Sequence, residues 1–379
     1  MGALLLYGDT ERSAAMRHEV PITIIDPFLY AESDGHVWIL SSSLEGERLA
    51  ACRPDAELLD MRELGLTELL RSATSREEIN LELASRAAAR TGIRDAIVDF
   101  DFPLAVAERL RADGLTLHVD GPAVTQRRRA KSDAELAGIR RAQLAAEAAM
   151  AAAASMLERA QPSGEMLQLD GQPLTAELIR TAMRDAAWGK GAVLPPDVIV
   201  ASVWQGFGHE AGSGPLPAGL PIQVDLWPRD EQSGCWADMT RTFVVGEAMS
   251  DEIGRQEQLV RRALDDTRAA VRPGVTGRAL HAHCCDLFEA EGYRTQRTGP
   301  GEDPSEGFQF SLGHGVGLEV HEAPALGQSG SEPLVAGDVL AVEPGLWRRD
   351  VGGVRLEDLL LVTEDGCEVL TSFPYEMSP

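Results

Sequence analysis

Residues 313–322 read GHGVGLEVHE: His314 and His321 lie among three glycines and two acids. Glycine lets backbone approach a site closely and leaves room around an imidazole. His321 follows His314 by seven residues, an odd offset that puts the two on opposite faces of a straight strand. For both to serve one site, the strand must bend or bulge at the glycines. A histidine beside glycines is by itself often a turn residue, so its meaning depends on what flanks it.

On either side lie four carboxylates, each in a strand-like apolar segment. Asp225 falls in LPIQVDLWP (220–228), Asp238 in GCWADMTRTFVVGE (234–247), Glu343 in DVLAVEPGLW (338–347) and Glu357 in GGVRLED (352–358). Alternation puts Ile222, Val224 and Leu226 on one face and Gln223 with Asp225 on the other. Glu343 likewise faces with Val339 and Ala341, and Glu357 with Arg355. A bare carboxylate in such a strand is costly unless it is paired or binds a metal. Four carboxylates and one imidazole suit two hard or borderline divalent cations side by side. A pair of that kind makes water nucleophilic at neutral pH.

The successive segments VDLWP…CWADMTRTF, GHGVGLEVHE, VEPGLW and GGVRLED resemble, in order, the signatures of the pita-bread metallopeptidases. That family includes Xaa-Pro aminopeptidases, prolidases and methionine aminopeptidases. The resemblance covers roughly residues 130–371. It implies that Asp225 binds one metal, that Asp238 and Glu357 bridge both, and that His314 and Glu343 complete the second sphere. The cofactor implied is two divalent ions, Mn²⁺ first, with Co²⁺ or Zn²⁺ as alternatives. His209 and His321 are implied to contact substrate and assist proton transfer, and Glu343 to double as a proton shuttle. Arg355 is expected to orient a bridging carboxylate such as Asp238.

The resemblance implies an exopeptidase that removes the first residue of a peptide, with proline in the second position, or a Xaa-Pro dipeptidase using the same site. A metal-free creatinase-like hydrolase or a non-catalytic peptide binder would lack ligands, and all five are present. The chain departs from the pattern in three places. Trp227 stands where glycine is common, two residues after the first ligand. The interval of thirteen residues from Asp225 to Asp238 is slightly long. Ala325 stands where archaeal-type prolidases have the arginine that binds the dipeptide carboxylate, which leaves Arg348 or Arg349 as the expected anchor.

The rest of the chain sets the frame. Its 379 residues exceed one ordinary core. The expected fold is α/β (α+β): a small N-terminal α/β domain of the creatinase N-terminal type over 1–127, then a pita-bread domain over 128–379. Apolar runs at 20–30, 35–43 and 95–100 read as strands and 75–92 as a helix stopped by Gly92. Asp26 and Asp99 read as turn or cap residues. Ser132 followed by Glu135 reads as a capping box opening a long alanine-rich helix. Further helices are expected at about 175–188, 250–271 and 276–291. The net charge of -25 argues against nucleic acid and anionic membranes as partners. The absence of a long apolar run or a signal-like N-terminus, and five scattered cysteines, fit a reduced cytoplasmic protein. A homodimer is common among relatives. HAHCC (281–285) reads as helix packing, since only His281 and Cys285 share a face. The basic run Arg127–Arg129 reads as a solvated linker or interdomain contact.

Overall fold

Ser132 stands in extended backbone; its hydroxyl accepts from Glu135 N at 3.3 Å, while Glu135 Oε2 accepts from Ser132 N at 2.8 Å. This reciprocal cap opens the 27-residue helix Asp133–Arg159 in the computed structural model. The structure describes residues 2–72, 75–202, 210–246, 249–349 and 351–379. It divides into two units, Met1–Arg128 and Arg129–Pro379.

The first unit is a mixed six-stranded sheet with helices. Its central strand is Ala3–Gly8, antiparallel to Phe28–Ser33 and parallel to Asp95–Val98. The helix Arg76–Thr91 has a Ser75–Glu78 capping box and ends at Gly92 in the left-handed region, φ 73°. Ala3–Gly8 is a strand that the sequence reading did not anticipate, and the run 20–30 is strand only from Phe28. Asp26 pairs with Arg76 at 2.7 Å, and Asp99 Oδ1 accepts from Phe100 N at 2.7 Å.

The second unit repeats one plan. The helix pair Asp133–Arg159 and Ala176–Trp188 shares a core with the antiparallel strands Ile199–Ser202, Ile222–Leu226 and Met239–Phe243. A second pair, Asp251–Ala270 and Gly277–Ala290, shares a core with a five-stranded antiparallel sheet. In that sheet Gly313–Gly315 lies between Glu322–Leu326 and Val339–Val342, and Asp358–Val362 lies beyond. The long strand-like runs of the last third are therefore broken into short strands. Glu343-Pro344 separates Val339–Val342 from Gly345–Arg348, which forms a ladder with Gly352–Arg355 and a single bridge from Trp347 to Gly307. Proline has no N–H for a ladder, so the chain leaves one sheet and enters another there.

The basic run is not solvated. Arg127 bonds Glu19 and Glu32 at 2.6 Å each, and the buried Arg129 bonds Asp338 at 2.5 Å. His281 and Cys285 are buried on one face of their helix, 3.7 Å apart, and His283 points outward. No helix among the described residues is long and apolar enough to cross a membrane.

Candidate metal centre

Asp225 is buried inside the Ile222–Leu226 strand, where the ladder pairs it with Thr240. Asp238 stands one residue ahead of Met239–Phe243, and its Oδ1 accepts from Met239 N at 3.0 Å. Glu357 immediately precedes Asp358–Val362. It accepts from the Thr240 hydroxyl at 2.7 Å, and its own N–H donates to Thr240 O at 3.1 Å. Thr240 thus ties the three-stranded sheet to the five-stranded one at the site. Glu343 follows Val339–Val342, with its N–H donating to Leu312 O at 2.9 Å.

His314 is the middle residue of Gly313–Gly315. A Cβ at Gly313 would collide with Ala341 O, and one at Gly315 with Ala323 O. Neighbouring strands therefore approach His314 closely on both sides, which only glycine permits. His314 Nδ1 lies 3.1 Å from Gly315 O and donates to it. Nε2 lies 3.7 Å from both Asp238 Oδ2 and Glu343 Oε1. Burial pushes the His314 pKa down, favouring the neutral ring.

The chain turns between the strands Gly313–Gly315 and Glu322–Leu326, and their register shifts at the glycines. The turn sets His321 edge-on to His314, ring centroids 4.2 Å apart and planes at 87°. A buried ion pair holds this turn. Lys131 Nζ lies 2.5 Å from Glu322 Oε1, with the two side chains 1% and 3% exposed. Gly317 sits against both, leaving no room for a Cβ.

Two groups of donors result. Asp225, Asp238 and Glu357 offer oxygens that all lie within 4.8 Å of one another. Asp238, His314 and His321 meet the same limit, so Asp238 belongs to both groups. These residues, with Glu343 and Arg355, line a cavity of about 340 Å³. Among the described lining residues Arg355 is the one permanent cation, set against four ligand-type carboxylates. Burial first, then the neighbouring carboxylates, pushes Asp238 and Glu357 well above the usual carboxylate range. Buried oxygens and one imidazole with too few cations fit divalent metal ions.

Arg355 differs from its expected role. Its Nη1 bonds Asp225 Oδ2 at 2.8 Å and lies 3.5 Å from Glu343 Oε2, instead of pairing with Asp238. Its guanidinium stacks over Phe310 and Trp347, 5.1 and 5.4 Å from the ring centroids. Arg348 and Arg349 are corrected. Arg348 pairs with Glu252 and Glu306, and Arg349 with Asp303 at 2.5 Å; neither lines the cavity. Arg348 ends the short Gly345–Arg348 strand, which belongs to its own hairpin, and Arg349 follows it in the turn. His209 lies outside the described residues. Asp197, Trp227 and Val320 line the cavity and were not anticipated from the sequence. The signal for Asp197 and Trp227 is the strand register, which no single segment carries.

A model of metallopeptidase family M24 matches residues 137–364. An uncharacterised peptidase of Bacillus subtilis is 38% identical over 144 residues, covering 38% of this chain and 37% of that protein. A Xaa-Pro dipeptidase of Pyrococcus horikoshii is 35% identical over 144 residues, 37% of each. The chain thus spans little more than a third of these curated relatives in alignment. In overall fold it is similar to an X-Pro aminopeptidase from Thermotoga maritima, with a TM-score of 0.77 at 22% identity over 99% of this chain and 97% of that one. It is also similar to the prolidase of Pyrococcus horikoshii, with a TM-score of 0.74 at 22% identity over 100% and 95%. At that identity the likeness speaks for the fold, which is the expected one: an N-terminal α/β domain and a pita-bread domain.

Proposed function

The chain belongs to metallopeptidase family M24, and from that premise we propose a metal-dependent exopeptidase that removes the first residue of peptides with proline second. The observation that carries the reading is the shared carboxylate: Asp238 belongs to two donor groups that meet in one cavity. Asp225, Asp238, His314, Glu343 and Glu357 are the proposed ligands, with Asp238 and Glu357 bridging. Two divalent ions, Mn²⁺ in preference to Co²⁺ or Zn²⁺, would supply a nucleophilic water at neutral pH and polarise the scissile carbonyl. The oxygen-rich donor set supports manganese. The domains proposed are 1–127 and 128–379, in a cytoplasmic homodimer.

The chain's residues divide the remaining work. Gly315 O, 3.1 Å from His314 Nδ1, is proposed to accept from it, so that Nε2 faces the ion. Arg355 holds Asp225 in place through its bond at 2.8 Å and partly offsets the carboxylates. His321, steadied by the Lys131–Glu322 pair beside it, is proposed to donate a proton or hydrogen bond to the substrate as the peptide bond breaks. Glu343 is the proposed proton carrier, and His209 the second substrate-facing histidine.

The aminopeptidase reading is favoured over strict dipeptidase action. A dipeptidase must neutralise the substrate's terminal carboxylate close to the site. Among the described lining residues only Arg355 carries a permanent positive charge, and Asp225 and Glu343 already engage it. The test compares Leu-Pro with Leu-Pro-Ala in Mn²⁺-loaded protein, followed by chromatography of the products. Faster release of leucine from the tripeptide is expected, and clear preference for the dipeptide would favour the prolidase reading. No cleavage with Mn²⁺, Co²⁺ or Zn²⁺, in protein shown by elemental analysis to be loaded, overturns both.

A further inference from the structure

Asp197 and Trp227 line the cavity but are not needed to hold an ion. The ladder between Ile199–Ser202 and Ile222–Leu226 pairs Ile199 with Asp225 and Val200 with Val224. Asp197 lies in the turn two residues ahead of the first of these strands, and Trp227 directly follows the second. Both residues line the same cavity as Asp225, just beyond the end of that ladder. Trp227 is half-buried and Asp197 is exposed at the mouth. Among the described residues, no hydrogen bond or ion pair engages the Asp197 carboxylate. Arg355, the one permanent cation among the described lining residues, is held by Asp225 and Glu343.

A carboxylate and an aromatic ring that line one cavity suit an ammonium or guanidinium group, which gains both a charge partner and the ring's negative face. Two strand positions span about 6.6 Å. The α-ammonium of a bound peptide is attached next to the carbon that bears the scissile carbonyl, too near the ligands to reach that far. The end of an extended lysine or arginine side chain reaches it. We propose that Asp197 and Trp227 form a subsite for the cationic side chain of the residue being removed, lysine or arginine in first position. This rests on the exopeptidase reading above and names its substrate class.

The test measures kcat/KM for Arg-Pro-Ala, norleucine-Pro-Ala and Glu-Pro-Ala in the Mn²⁺-loaded protein. Calorimetric binding of the same peptides to the E343Q variant, also incubated with Mn²⁺, provides a second readout. The expected result is about a tenfold preference for arginine over norleucine, the size of an exposed ion pair plus a cation–π contact, with the glutamate peptide poorest. Asp197→Asn and Trp227→Leu should each lower the arginine-to-norleucine ratio part of the way, and the double variant should bring it close to one. Equal kcat/KM for arginine and norleucine in the unaltered protein overturns the subsite and leaves the peptidase reading standing. An equal loss on both peptides in Asp197→Asn also overturns it, because the carboxylate would then be reading the α-ammonium. Arginine-selective binding without cleavage of any peptide supports the subsite and removes the peptidase reading. Neither selective binding nor cleavage overturns both.

Discussion

Asp238 belongs to both donor groups, so its loss removes an oxygen from each. Asp238→Asn keeps the shape and removes the charge. Elemental analysis should show the variant holding fewer than two ions per chain. Peptidase activity should fall beyond the 10–100-fold typical of changes to groups behind the ligands. Arg355 is one such group. Arg355→Met should weaken metal affinity about 10–100-fold in a calorimetric titration. Arg355→Lys should fall between, because a lysine keeps the charge but not the planar fork that rests on Phe310 and Trp347. The proposed ligands were legible as candidates because a carboxylate flanked by apolar residues in a strand is tolerated only when paired or metal-bound. Arg348 and Arg349 misled because their strand leaves the ligand-bearing sheet after Pro344, a turn of the backbone that residue type does not announce. Asp197 and Trp227 were silent for a related reason. They lie thirty residues apart, and only the pairing of Ile199 with Asp225 brings them together.

Short strands that end at the site depend on glycine for their spacing. Gly315→Ala would drive a methyl group into Ala323 O, where the bulged turn toward His321 begins. Overpacking of this kind costs roughly 1–3 kcal/mol, and both melting temperature and activity should fall. The Lys131–Glu322 pair offers a sharper test. Lys131→Met leaves a buried carboxylate without its main cation, which costs about 3–5 kcal/mol. Chemical denaturation should show most of that loss recovered in Lys131→Met/Glu322→Gln, while kcat stays reduced because the His321 turn has lost its clasp. The capped helices at 76–91 and 133–159 were readable from Ser-x-x-Glu spacing, a purely local signal. The interruption of 310–324 into two strands was readable only as a requirement, from the odd offset of two histidines that had to meet.

For the whole chain, the two units respond differently to metal. Proposed ligands all lie in Arg129–Pro379, and none in Met1–Arg128. Two ions at a hundred times their dissociation constants contribute about 2.7 kcal/mol each. For a unit of this size, that is a rise in melting temperature of roughly 10–20 °C. Scanning calorimetry with and without EDTA should move the transition of the second unit by that order and leave the first where it was. The two-domain organisation was visible in length and in the change of character near residue 126. The repeat of helix pair and sheet within the second unit was visible only as a coarse echo. The first residues after the boundary matter more than their position suggests. Arg129 reaches Asp338, and Lys131 reaches Glu322 beside His321, although neither basic residue lines the cavity. That sets where the polypeptide tolerates a cut. Cleavage just after Lys131 would spare every proposed ligand and still disarm the turn that carries His321, whereas cleavage ahead of Arg129 would leave both anchors attached to the half they serve.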